Sequence, residues 1–263
     1  MEYRKEAGIL KDLEYKQRGC VIKKIFGGDF MRKNRFLTLQ LAILMTITAH
    51  SPVWGASLGA VSGDYVFVED STVTLLSGSY DTSAVSVDSG QNVSGSDIVL
   101  TLVNNSGNQY VNGIEAKNGG TVQLEAVKVI AEGPFNSGLY AYNGGSITIG
   151  DSADISGDVQ IAVNAYGNNS SVTIGNDAKL QGHIWGGSSA VIYAGAGGSI
   201  KIGNGADIQN TAVSGGYQYY HRGLQATGGG SISLGDDCSV VTKGISGTSS
   251  DTNHGIVAGE LSY

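Results

Sequence analysis

A short alternation of apolar and polar residues recurs five times between residues 119 and 234. The segments are 119–124, 144–149, 169–174, 197–202 and 229–234, and their third residues lie 25, 25, 28 and 32 positions apart. In each segment two apolar residues flank a polar one, as Ile147 and Ile149 flank Thr148. This period of two is that of a strand with one buried face. Repeats of this length predict a solenoid with one coil per repeat.

Two further pairs of small or apolar residues keep nearly constant offsets from this strand. One pair comes before it, as Leu139 and Ala141 do in the second coil, and the third coil needs a shift of one residue. The other pair comes after it, as Ala153 and Ile155 do, but the first coil offers Lys128 where a small residue is expected. Three short strands per coil, separated by turns, predict an all-β fold: a single-stranded parallel β-helix (β-solenoid) with coils of 25 to 32 residues.

The composition agrees with such coils, because the 263 residues include 41 Gly and only 2 Pro. Without a Gly-X-Y period this excludes collagen, and a charged fraction of 15% with abundant Val, Ile and Leu excludes simple disorder. Glycines recur at the ends of the predicted strands, in pairs such as 144–145 and singly as at Gly150. We expect both sets to adopt positive φ at corners. Polar residues that can bond the turn backbone follow the single glycines: Asp151, Asn176, Asn204 and Asp236.

Residues 31–55 have the three regions of a secretory signal peptide. Basic residues follow Met31, an apolar run spans 36–49, and small residues precede a predicted cleavage between Gly55 and Ala56. The apolar run is too short for a membrane span. A buried helix of a cytosolic domain is the alternative interpretation.

Residues 1–30 are a charged leader, which is either an extension of the signal region or the result of a wrongly assigned start, with translation beginning at Met31. Of the 2 Cys, only Cys238 follows the predicted cleavage site, so no intramolecular disulfide is expected, and we expect its thiol to be an inert small apolar group. Residues 56–263 contain 6 Lys+Arg and 18 Asp+Glu, and this negative charge argues against nucleic acid as a partner.

The segment 138–151 (Gly-Leu-Tyr-Ala-Tyr-Asn-Gly-Gly-Ser-Ile-Thr-Ile-Gly-Asp) and its echo at 223–236 resemble the coil repeat of pertactin-like autotransporter passenger domains. The resemblance covers about residues 112–263. It implies a right-handed β-helix that is exported and displayed on the surface of a diderm bacterium, with a C-terminal translocator barrel as partner. That barrel is not in this sequence.

The resemblance and the repeats suggest four regions: the leader 1–30, the signal peptide 31–55, an N-terminal cap with irregular first coils 56–111, and regular coils 112–263. Segment 255–258 aligns with 223–226, which places Tyr263 at the position of Ser231. The sequence therefore stops in the middle of a coil, and we expect a truncated gene product or fragment.

No combination of residues predicts catalysis, a cofactor or a metal site. His183, His221 and His254 lack metal-ligand spacing. A polysaccharide-active β-helix enzyme remains an alternative, and its acids would come from a set that we interpret as turn residues: Asp151, Asp154, Asp177, Asp207, Asp236 and Asp237.

The longer coils carry aromatic and basic residues that suit contact with a host-cell surface, a glycan or a second copy of the chain. This candidate binding patch contains Trp185, Tyr217, Tyr219, Tyr220, His221 and Arg222. Alternatively, these aromatics cover coil edges. The leading functional hypothesis is an adhesin or structural surface protein; the alternatives are the enzyme above and an inert scaffold for a module missing from this sequence.

Overall fold

The computed structural model describes residues 55–78, 82–184, 189–212, 221–242 and 253–259. These residues belong to one compact unit that extends from Trp54 to Tyr263. Every regular element within the described ranges is a β-strand. The leader 1–30 and the signal segment, apart from Gly55, lie outside them. Ala56, at the predicted cleavage site, is the first residue of the first strand, and its N–H donates to the Asp70 carbonyl at 2.8 Å.

Each coil passes through three walls, which we name A, B and C in chain order. Wall A consists of β2 (Val61–Ser62), β5 (Ser83–Val87), β8 (Asn112–Lys117), the second halves of β10 (Lys128–Tyr142) and β12 (Asp154–Tyr166), β15 (Ser189–Gly195), β18 (His221–Thr227) and β21 (Asn253–Gly259). Wall B consists of β3 (Tyr65–Phe67), β6 (Asn92–Ser96), β9 (Thr121–Glu125), β11 (Ser146–Ile149), β13 (Ser171–Ile174), β16 (Ser199–Ile202) and β19 (Ser231–Leu234). Wall C consists of β1 (Ala56–Leu58), β4 (Ser71–Leu75), β7 (Val99–Asn104), the first halves of β10 and β12, β14 (Lys179–Ile184), β17 (Asp207–Ala212) and β20 (Ser239–Thr242).

The strands of each wall pair in parallel with those of the neighbouring coils, so the predicted parallel β-helix is confirmed. Aligned positions in wall B lie 28, 29, 25, 25, 28 and 32 residues apart. Strands β1 to β7, within residues 56–111, join the same three walls in register.

The core is a continuous column of apolar side chains enclosed by the three walls. In wall B the predicted alternation is seen directly: Ile147 and Ile149 are at most 1% exposed, whereas Thr148 between them is exposed. The pair Leu139 and Ala141 fills the same core from wall A. Removal of these side chains from water is the main favourable contribution to folding.

Two details of the predicted coil are wrong. Val127, 1% exposed, and not Lys128, takes the core position equivalent to Ala153, because Lys128 pairs with Asp154. The corner between walls B and C is one residue shorter in the first coil than in the second. Ala126 makes the turn at this corner with a φ of 47°. Secondly, turns do not separate all three strands. In β10 and β12 the wall C strand runs on into wall A through an irregularity marked by glycines with positive φ.

The glycine pairs between walls A and B have two different roles, and the expectation of positive φ holds only for the first member. Gly144 has a φ of 86°. Gly145 does not have a positive φ, but a Cβ added to it would overlap the backbone carbonyl of Ala116 in the preceding coil. The single glycines, such as Gly150, also lack positive φ. Close approach of two coils is therefore the second reason for the high glycine content.

The polar residues after wall B form a ladder of hydrogen bonds from coil to coil. Asp151 Oδ1 accepts from the backbone N–H of Asn176 at 2.7 Å. Asn176 Oδ1 accepts in the same way from Asn204 at 2.9 Å, and Asn204 Oδ1 accepts from Asp236 at 2.8 Å. The predicted side-chain bonds to turn backbone exist, but each joins a coil to the next coil and not to its own turn.

A second ladder joins the corners between walls A and B. The Asn143 amide donates to Asn118 Oδ1 at 2.7 Å, and the Asn118 amide donates to Asp88 Oδ1 at 3.0 Å. The backbone N–H of Ser89 and the Asn118 amide hold the pKa of the Asp88 carboxyl below its usual value. Both ladders fix the register of neighbouring coils.

Charges alternate along one register position of wall C. Lys128, Asp154, Lys179 and Asp207 occupy this position in four successive coils. Lys128 Nζ lies 3.4 Å from Asp154 Oδ2. Opposite charges on directly paired residues stabilise a sheet.

Candidate functional site

The predicted binding patch falls mostly outside the described residues. Trp185, Tyr217, Tyr219 and Tyr220 belong to segments 185–188 and 213–220, whose sequence positions join wall C to wall A. His221 and Arg222 are described and begin β18 in wall A. The Arg222 guanidinium donates from Nη1 to Gln225 Oε1 at 2.8 Å, and the Arg222 backbone pairs with His254.

The same corner carries an ordered loop in an earlier coil. Asn104, 8% exposed, holds this loop, because its amide donates to the carbonyls of Asn108 and Pro134 at 2.8 and 2.6 Å. Tyr110 in the loop is 71% exposed. In β10 and β12 no loop interrupts the passage from wall C to wall A. The described loop therefore borders wall A on the N-terminal side of β10 and β12.

The outward face of wall A carries a group of polar and aromatic side chains, which we name the wall A strip. Its residues are Ser83, Ser86, Asn112, Glu115, Lys117, Ser137, Tyr140, Tyr142, Asn164, Tyr166, Tyr193, Gln225 and Thr227. They alternate with core residues such as Ile114 and Ala116, and they span six neighbouring strands, from β5 to β18.

Four tyrosines form the centre of the strip. The ring centroids of Tyr140 and Tyr142 lie 5.7 Å apart with an interplanar angle of 25°, and those of Tyr142 and Tyr166 lie 6.2 Å apart at 17°. Tyr142 and Tyr166 are each 40% exposed. The Tyr193 hydroxyl is 3.1 Å from Thr227 Oγ1. Stacked rings thus cross two neighbouring coils, and Tyr193 lies in the third.

Gly195 makes room for two of these rings. A Cβ at this position would lie 2.9 Å from Tyr166 Cδ2 and 2.8 Å from the Tyr193 hydroxyl oxygen. Both rings therefore lie against the glycine, whose lack of a side chain leaves room for them on the wall. Any larger residue would displace them.

Next to the tyrosines the strip contains a buried carboxylate. Glu115 is 6% exposed, and its Oε2 accepts from Ser83 Oγ at 2.8 Å and from Ser86 Oγ at 3.4 Å. Lys117 Nζ lies 3.4 Å from the same oxygen. A cavity of about 190 Å³ opens beside this group, and Ser83, Ser86 and Lys117 contribute to its lining. A buried carboxylate needs such polar partners to offset its loss of contact with water.

Two asparagines of the strip are more than nine-tenths buried and have an unused acceptor. Asn164 is 8% exposed, and its amide donates to Ser137 Oγ at 3.3 Å. Asn112 is 7% exposed. Within the described part of the chain, no donor reaches Oδ1 of either side chain. Buried acceptors in this state destabilise a protein unless another molecule supplies the donor.

The pKa of the Tyr140 phenol differs from that of an ordinary tyrosine, and this difference can be measured. Burial raises the pKa of its phenol to about 12, and the Glu115 carboxylate adds to this effect. In the unfolded chain a tyrosine loses its proton near pH ~10. Between these two pH values Tyr140 therefore keeps its proton in the folded protein and loses it in the unfolded chain. Because the unfolded chain then binds fewer protons, the free energy of unfolding falls as pH rises through this window.

We expect Tyr140→Phe to make the free energy of unfolding less dependent on pH over this alkaline window. Urea unfolding of both proteins across it, together with an ultraviolet titration of tyrosinate, provides the measurement. An equally steep decline in the two proteins would contradict the assignment.

The acids considered for catalysis lie outside the strip, and the carboxylates of Asp151, Asp154 and Asp207 have partners there. Asp177 and Asp237 are turn residues with φ of 56° and 57°. Asp151 and Asp236 belong to the corner ladder, and Asp154 pairs with Lys128 beside a depression of about 340 Å³. His183 Nδ1 lies 3.3 Å from Asp158 Oδ1, so this histidine has a neighbour that the sequence did not indicate.

Other chemistry is sparse in the ranges that the structure describes. There, no three His, Cys, Asp or Glu side chains group as metal ligands do, and no helix has the length and hydropathy of a membrane span. Cys238 takes the position of Ala206, with Sγ 3.3 Å from the Gly203 carbonyl, and is half-buried at the edge of the core.

Sequence reasoning missed the strip although its signal was present. The alternation identifies the core pair Leu139 and Ala141, and it places Tyr140 and Tyr142 at the outward positions beside them. Asn164 and Tyr193 pair with each other in register and lie outward in the next two coils. The aromatic surface becomes visible once these positions are aligned. The unused acceptors and the buried Glu115 depend on packing and have no sequence signal.

No family model matches this chain, and comparisons with curated proteins and with solved structures also find no match.

Proposed function

We propose that this chain is an exported passenger of the autotransporter type that acts at the cell surface as an adhesin or structural surface protein. The observation that supports adhesion is the wall A strip, where exposed tyrosine rings adjoin buried polar groups on one side of a solenoid. The coil repeat at 138–151 supports the passenger class, and the segment 31–55 supports export.

A solenoid with this core is a suitable support for recognition. The ladders and the core fix the spacing of the strip residues before a partner arrives, so little conformational entropy is lost on binding. Tyrosine adds contact area with few rotatable bonds. These properties favour a preformed binding surface.

The enzyme alternative receives less support from the geometry. Glycoside hydrolysis generally uses two carboxyl groups on either side of the scissile bond. Glu115 is the one carboxylate among the strip residues, and Ser83 and Lys117 already engage it. This arrangement suits holding a ligand better than cleaving one.

Export is tested by expressing the full chain in a diderm bacterium, fractionating the cells and determining the mass of the product. We expect a protein that begins at Ala56 and lies beyond the inner membrane. An unprocessed chain that stays in the cytoplasm would contradict the proposal.

Adhesion is tested with beads that carry the purified full chain, applied to cultured host cells. We expect coated beads to attach well above the level of bare beads. A Tyr142→Ala/Tyr166→Ala variant should return attachment to that level, whereas Thr173→Ala, at an exposed position of wall B, should not change it. Attachment no greater than that of bare beads would contradict the adhesin and leave the inert scaffold.

A further inference from the structure

We infer that the wall A strip is a binding site for a neutral, linear saccharide that lies along the axis of the solenoid. The inference rests on the proposed adhesin function and specifies its ligand. Three features of the strip point to this chemistry: unused hydrogen-bond acceptors, absence of net charge at its centre, and a repeat along the axis.

The acceptors call for a ligand rich in hydroxyl donors. Asn112 and Asn164 are buried, and each has an Oδ1 without a donor from the described chain. Because these oxygens are almost wholly covered, each amide must turn outward to accept from a ligand on the strip. Glu115 adds a carboxylate that three neighbouring groups hold in place. Oriented carboxylate and amide groups that exchange hydrogen bonds with hydroxyls give a site its selectivity for hydroxyl-bearing ligands.

The charge of the wall A strip indicates which class of saccharide it binds. Lys117 and Glu115 form an ion pair, and the remaining central residues, tyrosine, asparagine and serine, are neutral. An anionic polysaccharide or a nucleic acid requires several cationic groups along its path. The strip offers Lys117 in its early coils and Arg222 beside its last coil, where Gln225 engages the guanidinium. A neutral chain of sugar rings therefore fits best.

The tyrosines supply the apolar part of the contact. Tyr142 and Tyr166 keep 40% of their surface exposed although their rings lie against each other. Aromatic rings cover the C–H surfaces of a ligand, while their hydroxyls reach polar groups. Because Tyr142 and Tyr166 pair on adjacent coils, they provide two such contacts along the axis.

The repeat of the wall implies a linear ligand. Neighbouring coils lie about 4.8 Å apart, so the five intervals between β5 and β18 correspond to roughly 24 Å. A polymer along the axis would meet polar or aromatic side chains on successive coils, whereas a single sugar would use only one part of the strip.

Calorimetric titration of the purified full chain tests the inference. The probes are neutral hexasaccharides of β-1,4-glucan, α-1,4-glucan and β-1,4-mannan, with hexagalacturonate as the charged probe. We expect at least one neutral hexamer to bind, its trisaccharide to bind more weakly, and hexagalacturonate not to bind.

Substitutions locate the binding on the strip. Tyr166→Ala and Asn164→Ala should each weaken binding by about tenfold or more, as central contacts of an interface do. Tyr166→Phe keeps the ring and guards against loss of fold, and it should weaken binding less than Tyr166→Ala. Thr173→Ala, outward on wall B, should bind as the parent does. Circular dichroism checks that each variant is folded.

Failure of the inference can be separated from failure of the adhesin function. If coated beads attach to cells but no neutral hexamer binds, the inference is wrong, and loss of attachment after protease treatment of the cells would identify the partner as a protein. Binding of hexagalacturonate alone, or equal binding by the parent and the folded strip variants, would also overturn it. Absence of any attachment would contradict the proposed function itself.

Discussion

Replacing Gly145 with alanine is expected to lower the free energy of unfolding by about 3 kcal/mol or more, because overpacking against rigid groups forces the backbone to move. The added Cβ would overlap the carbonyl of Ala116 in the preceding coil. That coil cannot move away without lengthening the backbone hydrogen bonds that join the two coils there, such as Ser146 N–H to the Gly120 carbonyl at 3.0 Å. Urea unfolding followed by circular dichroism measures the loss.

Gly144 is the matched control for this change. It has a φ of 86° but open space around an added Cβ, whose nearest neighbour is the Gly119 nitrogen at 3.8 Å. Gly144→Ala should therefore cost only the conformational penalty, about 1 to 2 kcal/mol. A larger loss in Gly144→Ala than in Gly145→Ala would show that backbone conformation, and not coil contact, makes glycine necessary here.

Ile149→Ala is expected to lower the free energy of unfolding by about 2 to 5 kcal/mol, the range for removing a large aliphatic side chain from a core. Ile149 is 1% exposed and packs inside wall B. The neighbouring Thr148→Ala, on the outward side of the same strand, should change stability by no more than about 0.5 kcal/mol. Both values come from urea unfolding. Similar losses for the two variants would mean that this strand does not have the inward and outward sides described.

Much of the fold could be predicted because the alternation of side chains reports which face of a strand is buried. A shift of one residue would place Thr148 in the core and Ile149 in water, so the hydrophobic pattern fixes the register strongly. The same logic located the wall A pair Leu139 and Ala141. Corner lengths carry no such signal, which explains why Lys128 was predicted at a position that Val127 occupies.

The candidate site was harder to predict. The sequence drew attention to aromatic residues in the longer coils, such as Tyr219, since insertions are conspicuous in a repeat. Tyr140 and Tyr166 lie within the regular repeat. Outward aromatic residues alternate with core residues there, so no insertion marks them in the sequence. The ring contact between Tyr142 and Tyr166 depends on the pairing of β10 with β12, and the space for Tyr166 depends on Gly195. Both conditions emerge only from the folded arrangement.

The alternating charges of wall C restrict how such a solenoid could grow by gene duplication. Lys128, Asp154, Lys179 and Asp207 follow one another at a single register position. Tandem copying of one coil would put two lysines or two aspartates directly opposite each other, where like charges are destabilising by roughly 0.2 to 1 kcal/mol. Copying two coils together would keep unlike charges as neighbours. Duplication of two coils at a time would therefore destabilise the solenoid less than duplication of a single coil.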